Sequence, residues 1–289
     1  MKIRKIFSLS LLVATFGIST ANADFTPKVV YGDDDRLDLY DVTNQVHYDI
    51  AASTAAMLPP RALKKMNDGN YRISAQSLED QGICADARFA DQPTAAYCSG
   101  FLVGDDLLVT AGHCIESAND CSTYKWVFDY GYTDASHQFS IGNDSVYSCS
   151  KIVERKLDGR RGSDYALIKL DRKVTGRTPL KVRQSGKVAT KQPLVVIGHP
   201  TGLPTKVAAG AWVRDNGKSA YFVANLDTFG GNSGSAVFDS NTGVVEGILV
   251  RGEQDYSYDR QKQCLVPKEC SNTGCSGEDV TRITEIQAL

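Results

Sequence analysis

Histidine is scarce in this chain, with 4 among 289 residues. The 8 cysteines show no paired C-x-x-C spacing, and no histidine stands near Cys264, Cys270 and Cys275 to complete a zinc site. Neither a metal nor an organic cofactor is therefore implied. An excess of one charge is also missing: 32 basic against 34 acidic residues leave −2, which gives no electrostatic case for a nucleic-acid partner or an anionic membrane. No apolar run is longer than the 13 residues 6–18, short of the roughly 20 that span a bilayer, so no membrane anchor is expected. There is no internal repeat and no low-complexity tract. What remains, 42% apolar residues with 25 glycines against 9 prolines, excludes disorder and collagen and supplies ample material for a core.

The order of features at the N-terminus sets the compartment. Lys2, Arg4 and Lys5 precede the apolar run, and Ala21-Asn22-Ala23 supplies a small-residue cleavage site. Residues 1–23 read as a secretory signal, and the protein is expected to be exported, to a periplasm or out of the cell. In an oxidising compartment the default state of the cysteines is disulfide-bonded. Residues 24–96 read as a short propeptide, an N-terminal segment and an insertion that contains Cys84.

From Tyr97 onward, short runs rich in Val, Ile, Phe and Tyr alternate with turn signals: residues 101–103, 107–110, 125–128, 166–170, 194–197, 220–223, 236–238 and 244–250. This pattern predicts an all-β barrel or sandwich, with no convincing helical period. The basic, turn-rich stretch 171–192 reads as a connection between two β units. On this basis residues 97–180 form a first β unit and residues 181–289 a second, which ends in a cysteine-rich tail.

Three motifs bear on chemistry. An apolar strand delivers His113 into the turn of Thr110-Ala111-Gly112-His113-Cys114. Asp164 stands at the mouth of the apolar strand Tyr165-Ala166-Leu167-Ile168. Ser233 lies among glycines in Gly230-Gly231-Asn232-Ser233-Gly234-Ser235, just before another strand. A serine hydroxyl is a weak nucleophile that needs a base to accept its proton, and the base needs a partner that fixes its tautomer. His, Asp and Ser supply these roles, and the Gly231 and Ser233 N–H groups are the natural pair of donors for an oxyanion.

Together these motifs resemble the chymotrypsin-like, or trypsin-like, serine proteases over most of the chain from Cys98 to about Gly252. The resemblance implies two six-stranded antiparallel β barrels with the active site in the cleft between them. It implies a Ser233 nucleophile, a His113 general base and an Asp164 orienting carboxylate, acting through an acyl-enzyme on protein or peptide substrates, and a monomer is expected. It also implies a Cys98 to Cys114 disulfide that ties the histidine loop. The other six cysteines allow 15 pairings, among which Cys121 with Cys149 is a reasonable guess inside the first barrel.

Asn232 occupies the place where animal trypsins carry the aspartate that binds a freed N-terminus, which argues against that activation switch. The Gly-Gly-Asn-Ser-Gly-Ser form is similar to the bacterial branch that includes the glutamyl endopeptidases, as is the start Val29-Val30-Tyr31-Gly32. Removal of a propeptide, residues 24–28, before Val29 is expected from this, making the product of translation a zymogen. Specificity is open. The pocket-lining histidine of the glutamyl enzymes is replaced by Leu249, whereas Asp227 stands at the offset where trypsins place an aspartate that selects Lys and Arg. Arg251 could cancel Asp227 or reach an acidic side chain, and Val250, Arg251 and Gly252 are expected to form the strand along which substrate pairs. His199 reads as a structural turn residue, and His47 and His137 as surface residues. Two alternatives stand beside the protease: a non-catalytic secreted binding protein of the same fold, and an esterase. The strand that follows Ser233 argues against the strand-to-helix elbow of the α/β hydrolases.

Overall fold

The structure is a computed structural model that describes residues 29–139, 141–159 and 162–289. The secretory signal and the propeptide expected at residues 1–28 lie outside the described residues.

Twelve strands close into two antiparallel barrels. The first contains β1 (Thr54–Leu58), β2 (Cys98–Leu102), β3 (Leu107–Thr110), β4 (Lys125–Val127), β5 (Val146–Leu157) and β6 (Asp164–Leu170), joined in the cyclic order β6-β3-β2-β1-β4-β5. The second contains β7 (Pro193–Gly198), β8 (Lys206–Asp215), β9 (Tyr221–Ala224), β10 (Ala236–Asp239), β11 (Val245–Arg251) and β12 (Glu278–Arg282), in the order β7-β10-β11-β12-β9-β8 with β8 returning to β7. Closure leaves neither barrel with a bare edge of unpaired amides. A further strand, Arg36–Asp38, is laid antiparallel along β8. Residues 171–192 run between the end of β6 at Leu170 and the start of β7 at Pro193.

The period-two alternation of the strands decides how the barrels meet. In β7, Leu194 and Val196 fill the interior of the second barrel, whereas Val195 and Ile197 point outward into a core shared with the first barrel. The same split recurs in β10, with Val237 inside and Ala236 and Phe238 outside, and in β11, with Leu249 inside and Ile248 and Val250 outside. Each such buried Val, Leu, Ile or Phe side chain contributes roughly 1.5 to 3 kcal/mol. The shared apolar face fixes one barrel against the other, and the cleft between them inherits that rigidity.

One boundary differs from the sequence reading. The first barrel begins at Thr54, not at residue 97, because β1 is built from a segment assigned to the N-terminal insertion. The remainder of that insertion, residues 59–96, packs on both barrels, with Ala62, Leu63, Tyr71 and Ile73 clustered against Ala56, Leu58, Val127 and Val146 of the first. Ala95 and Ala96 N–H groups donate to the Gly202 carbonyl at 2.9 and 3.1 Å, and a Cys84–Cys264 disulfide pins it to the tail. The buried Lys206 ammonium donates to Asp38 at 2.5 Å and to Gln92 at 2.7 Å, so one cation ties β8, the added strand and the insertion together. The remaining disulfides are Cys98–Cys114, Cys121–Cys149 and Cys270–Cys275. His47 is buried, with Nε2 3.0 Å from the Ser240 carbonyl, and His137 is half-buried and stacked on Tyr132. Neither is the surface residue expected from sequence. Among the described residues, no helix is long and apolar enough to cross a membrane.

Candidate active site

Strand β3 ends at Thr110, and the turn that follows delivers His113 to the cleft. Gly112 is required there for close approach: a Cβ at this position would stand 2.4 Å from the Lys156 carbonyl and 2.8 Å from the Tyr165 carbonyl. That proximity lets Asp164, at the start of β6, hold His113 twice. Its Oδ1 accepts the His113 backbone N–H at 3.1 Å, and its Oδ2 lies 2.8 Å from Nδ1. Asp164 is almost completely buried, while the imidazole remains about one-third exposed to the cleft. Burial alone would raise the Asp164 carboxyl, but the bonds and charge of His113, with help from Arg251, hold it below the usual carboxylate range. An ionised carboxylate can only accept, so Nδ1 is the nitrogen that carries the proton toward Asp164.

The Ser233 loop reaches this pair because it is docked on the first barrel. The Ser99 N–H donates to the Ser233 carbonyl at 2.8 Å, and the Ser99 hydroxyl donates to the Gly231 carbonyl at 2.9 Å. Gly234 adopts φ +88°, and a Cβ there would lie 2.1 Å from the Ser99 carbonyl oxygen and 2.3 Å from Thr110 Oγ1. Glycine is therefore what lets the loop lie flat against β2 and β3. Cys114, next to His113, has its sulfur 3.7 Å from the Ser233 carbonyl. It is bonded to Cys98 and has no proton to donate, so this is a packing contact. The same bond explains why Cys98, His113 and Cys114, whose ligand-type atoms lie within 4.8 Å of one another, are a disulfide beside an imidazole rather than a metal site. Gly231 also has a positive φ, +87°. The Asn232 N–H is spent on the Phe229 carbonyl at 3.0 Å, and its side-chain oxygen accepts from Ser235 Oγ at 3.2 Å. His199 is fully buried with Nδ1 3.0 Å from the Leu203 carbonyl, and burial pushes it down to about 3, so it stays neutral.

The residues expected to recognise substrate fall in less expected places. Both oxygens of Asp227 are occupied by the N-terminal segment: Oδ1 accepts from Tyr31 N–H at 2.6 Å and Oδ2 from Asp35 N–H at 2.8 Å. Burial pushes this carboxyl up to about 7, even though the two amides favour its charged form. It is a tether for the N-terminal segment, not an open pocket floor. Arg251 neither pairs with Asp227 nor turns to the cleft. Its Nε donates to Asp279 at 3.1 Å, its Nη2 to the Gly162 carbonyl at 3.3 Å, and its Nη1 lies 4.0 Å from Asp164 Oδ2, behind the imidazole partner. Val250 is buried in the shared core, and Gly252 is packed against Glu278. Glu278, at the start of β12, is completely buried, and its carboxylate accepts from Thr228 Oγ1 at 2.7 Å and from the Glu253 N–H at 3.2 Å.

The model of the trypsin-like peptidase domain matches residues 98–248. No curated protein matches the chain. Among solved structures, a Glu endopeptidase in complex with MPD is similar at 17% identity with a TM-score of 0.53, covering 89% of this chain and 94% of that one. The VesB protease of Vibrio cholerae is similar at 13% identity with a TM-score of 0.49, covering 89% of this chain and 65% of that one.

Proposed function

Since the chain belongs to the trypsin-like peptidase family, we propose that it is an exported serine endopeptidase in which Ser233, His113 and Asp164 form the catalytic triad. The observation that carries this reading is the 2.8 Å pairing of His113 Nδ1 with the buried Asp164 carboxylate, beside a loop that presents Ser233. His113 Nε2 takes the proton of Ser233 Oγ as that oxygen attacks a peptide carbonyl, and Asp164 stabilises the imidazolium so formed. The oxyanion is received by the Gly231 and Ser233 N–H groups. His113 then returns its proton to the leaving amine, and water resolves the acyl-enzyme by the same relay in reverse. Four disulfides support residence in an oxidising compartment. The intact His–Asp pair favours an enzyme over a binding protein that keeps only the fold.

A fluorophosphonate probe tests this directly. The secreted protein is expected to be labelled at Ser233, with labelling abolished in Ser233→Ala and strongly slowed in His113→Ala. An unlabelled wild-type protein would refute the reading.

A further inference from the structure

Resting on the triad reading above, we propose that Thr201 and Tyr256 are positioning residues for the oxyanion site: a bond between their hydroxyls holds the Gly230–Gly231 peptide in the orientation that aims the Gly231 N–H at the reacting carbonyl. Thr201 lies in the short turn Pro200–Gly202 that follows β7, and its backbone is in the left-handed region, at φ +51° and ψ +23°. A β-branched residue rarely adopts that conformation, because its side chain crowds its own backbone there. What the conformation achieves is one contact. The Thr201 N–H donates to the Gly230 carbonyl at 2.5 Å. A trans peptide points its C=O and its N–H in opposite directions, so a hold on the Gly230 carbonyl sets the direction of the Gly231 N–H. The turn and the serine loop are in close contact at this point: a Cβ on Gly231 would lie 2.6 Å from the His199 carbonyl and 2.7 Å from the Gly202 amide nitrogen.

Backbone strain of this kind persists only where the surroundings impose it, and the hydroxyl of Thr201 shows what does so. Its Oγ1 lies 2.8 Å from Tyr256 OH. Tyr256 opens the hairpin of Tyr256–Asp259 and Cys264–Pro267, with its ring packed on Phe229 at a centroid distance of 5.2 Å. The residue before it, Asp255, accepts the Gly230 N–H through Oδ2 at 2.9 Å. Two neighbours at the start of one hairpin therefore grip Gly230, Asp255 directly at the N–H and Tyr256 at the carbonyl through Thr201. The hairpin is itself anchored: the Cys84–Cys264 disulfide ties it to the insertion, where the Cys84 N–H donates to the Leu265 carbonyl and the Leu265 N–H to the Gly82 carbonyl, both at 2.9 Å. On the other side of the turn, the His199 N–H donates to the buried Ser99 hydroxyl at 3.0 Å. Without the bond to Tyr256, Thr201 relaxes toward negative φ and its N–H leaves Gly230. The peptide is then free to rotate and turn the Gly231 N–H away.

The test measures kcat and KM on a fluorogenic peptide that the wild-type protein cleaves, and the inhibition constant of a boronic acid of the same sequence, whose tetrahedral adduct with Ser233 carries an oxygen at the oxyanion position. Tyr256→Phe removes one oxygen atom. It is expected to lower kcat about tenfold with KM within about twofold, and to weaken the boronic acid by the same factor, because only the tetrahedral state feels the loss. Glycine adopts positive φ without this strain, so Thr201→Gly is expected to keep kcat within about threefold of wild type and to make Tyr256→Phe silent when the two are combined. A merely structural role for Tyr256 would carry the loss into the glycine background unchanged. The proposal is overturned by Tyr256→Phe within about twofold of wild type, by a tenfold loss that persists in the double variant, or by a loss confined to KM. Should Tyr256→Phe fail to fold, Thr201→Ala takes its place, since it loses the same bond and stays disfavoured at positive φ. It is expected to lower kcat by about tenfold or more where Thr201→Gly does not, and equal activity of the two overturns the proposal. A wild-type protein that cleaves no peptide and takes no fluorophosphonate label refutes the triad reading instead.

Discussion

Asp164→Asn isolates the electrostatic half of the proposed triad with almost no change of shape. In the structure Oδ2 lies 2.8 Å from His113 Nδ1 and Oδ1 accepts the His113 N–H. When Ser233 gives up its proton, the imidazole becomes a cation beside this carboxylate. At the effective dielectric of about 20 that suits partly buried pairs, a unit charge pair at 2.8 Å is worth about 6 kcal/mol. Spreading each charge over its ring or carboxylate lengthens the mean separation to about 4 Å and gives about 4 kcal/mol. At 1.36 kcal/mol per tenfold, losing that term costs about 10³- to 10⁴-fold in kcat/KM. The amide adds a second fault, because its NH₂ can turn toward Nδ1 and force the tautomer in which Nε2 already carries hydrogen. The assay is kcat/KM on a fluorogenic peptide, with circular dichroism and a urea titration to show that the fold is retained. A folded Asp164→Asn protein within tenfold of wild type would refute both the charge argument and the assignment of Asp164.

Three other outcomes are expected. Gly234→Ala forces a side chain into a φ of +88° and drives its Cβ to 2.1 Å from the Ser99 carbonyl. It should lift the Ser233 loop off β2, costing about 1 to 3 kcal/mol of stability and at least about 100-fold in fluorophosphonate labelling rate; wild-type labelling would contradict the docking argument. The Cys84–Cys264 bridge closes a separation of 180 residues, so replacing both cysteines by serine should cost about 2 to 5 kcal/mol in urea unfolding, and a loss below about 1 kcal/mol would mean that the insertion is held by its other contacts. Glu253 is pulled down to about 2, first by the Ser276 hydroxyl and N–H and then by the Lys268 ammonium. Because its folded value lies below the unfolded one, its stabilising contribution is full above pH 4.5 and is lost as pH falls toward 2. Glu253→Gln should therefore flatten the fall in stability between pH 5 and about 2.5 in urea titrations, and an unchanged slope would exclude Glu253 as a source of it.

The strands that sequence made legible are those where β-branched and aromatic residues cluster between turn residues, such as 107–110, 166–170 and 244–250. Those it hid have physical reasons. Thr54–Leu58 is buried at every position and rich in alanine, so it shows neither alternation nor a β-forming composition. Val146–Leu157 is the converse: a 12-residue strand mostly half-exposed or exposed, whose Ser, Lys, Glu and Arg positions read as loop. Lys206–Asp215 begins with a buried lysine that makes sense only once Asp38 and Gln92 are seen to surround its ammonium. Glu278–Arg282 carries three charges in five residues, yet four of the five are buried.

The site divides along the same line. His113, Asp164 and Ser233 each sit in a short motif whose residues do the positioning themselves: Gly112 admits the histidine to the aspartate, and Gly234 lays the serine loop on β2. Such geometry is local, and a sequence displays it. The residues that sequence offered for recognition are placed by partners from far along the chain. Asp227 is turned aside by the Tyr31 amide, 196 positions away, and Arg251 is drawn behind the His113–Asp164 pair by Asp279, 28 positions on. Counting an offset from Ser233 fixes where the backbone of Asp227 lies but not what its carboxylate touches. A short motif displays a contact made between neighbours in sequence, but not one made with a segment that only the closed barrel brings near, and Asp227 and Arg251 are held by contacts of the second kind.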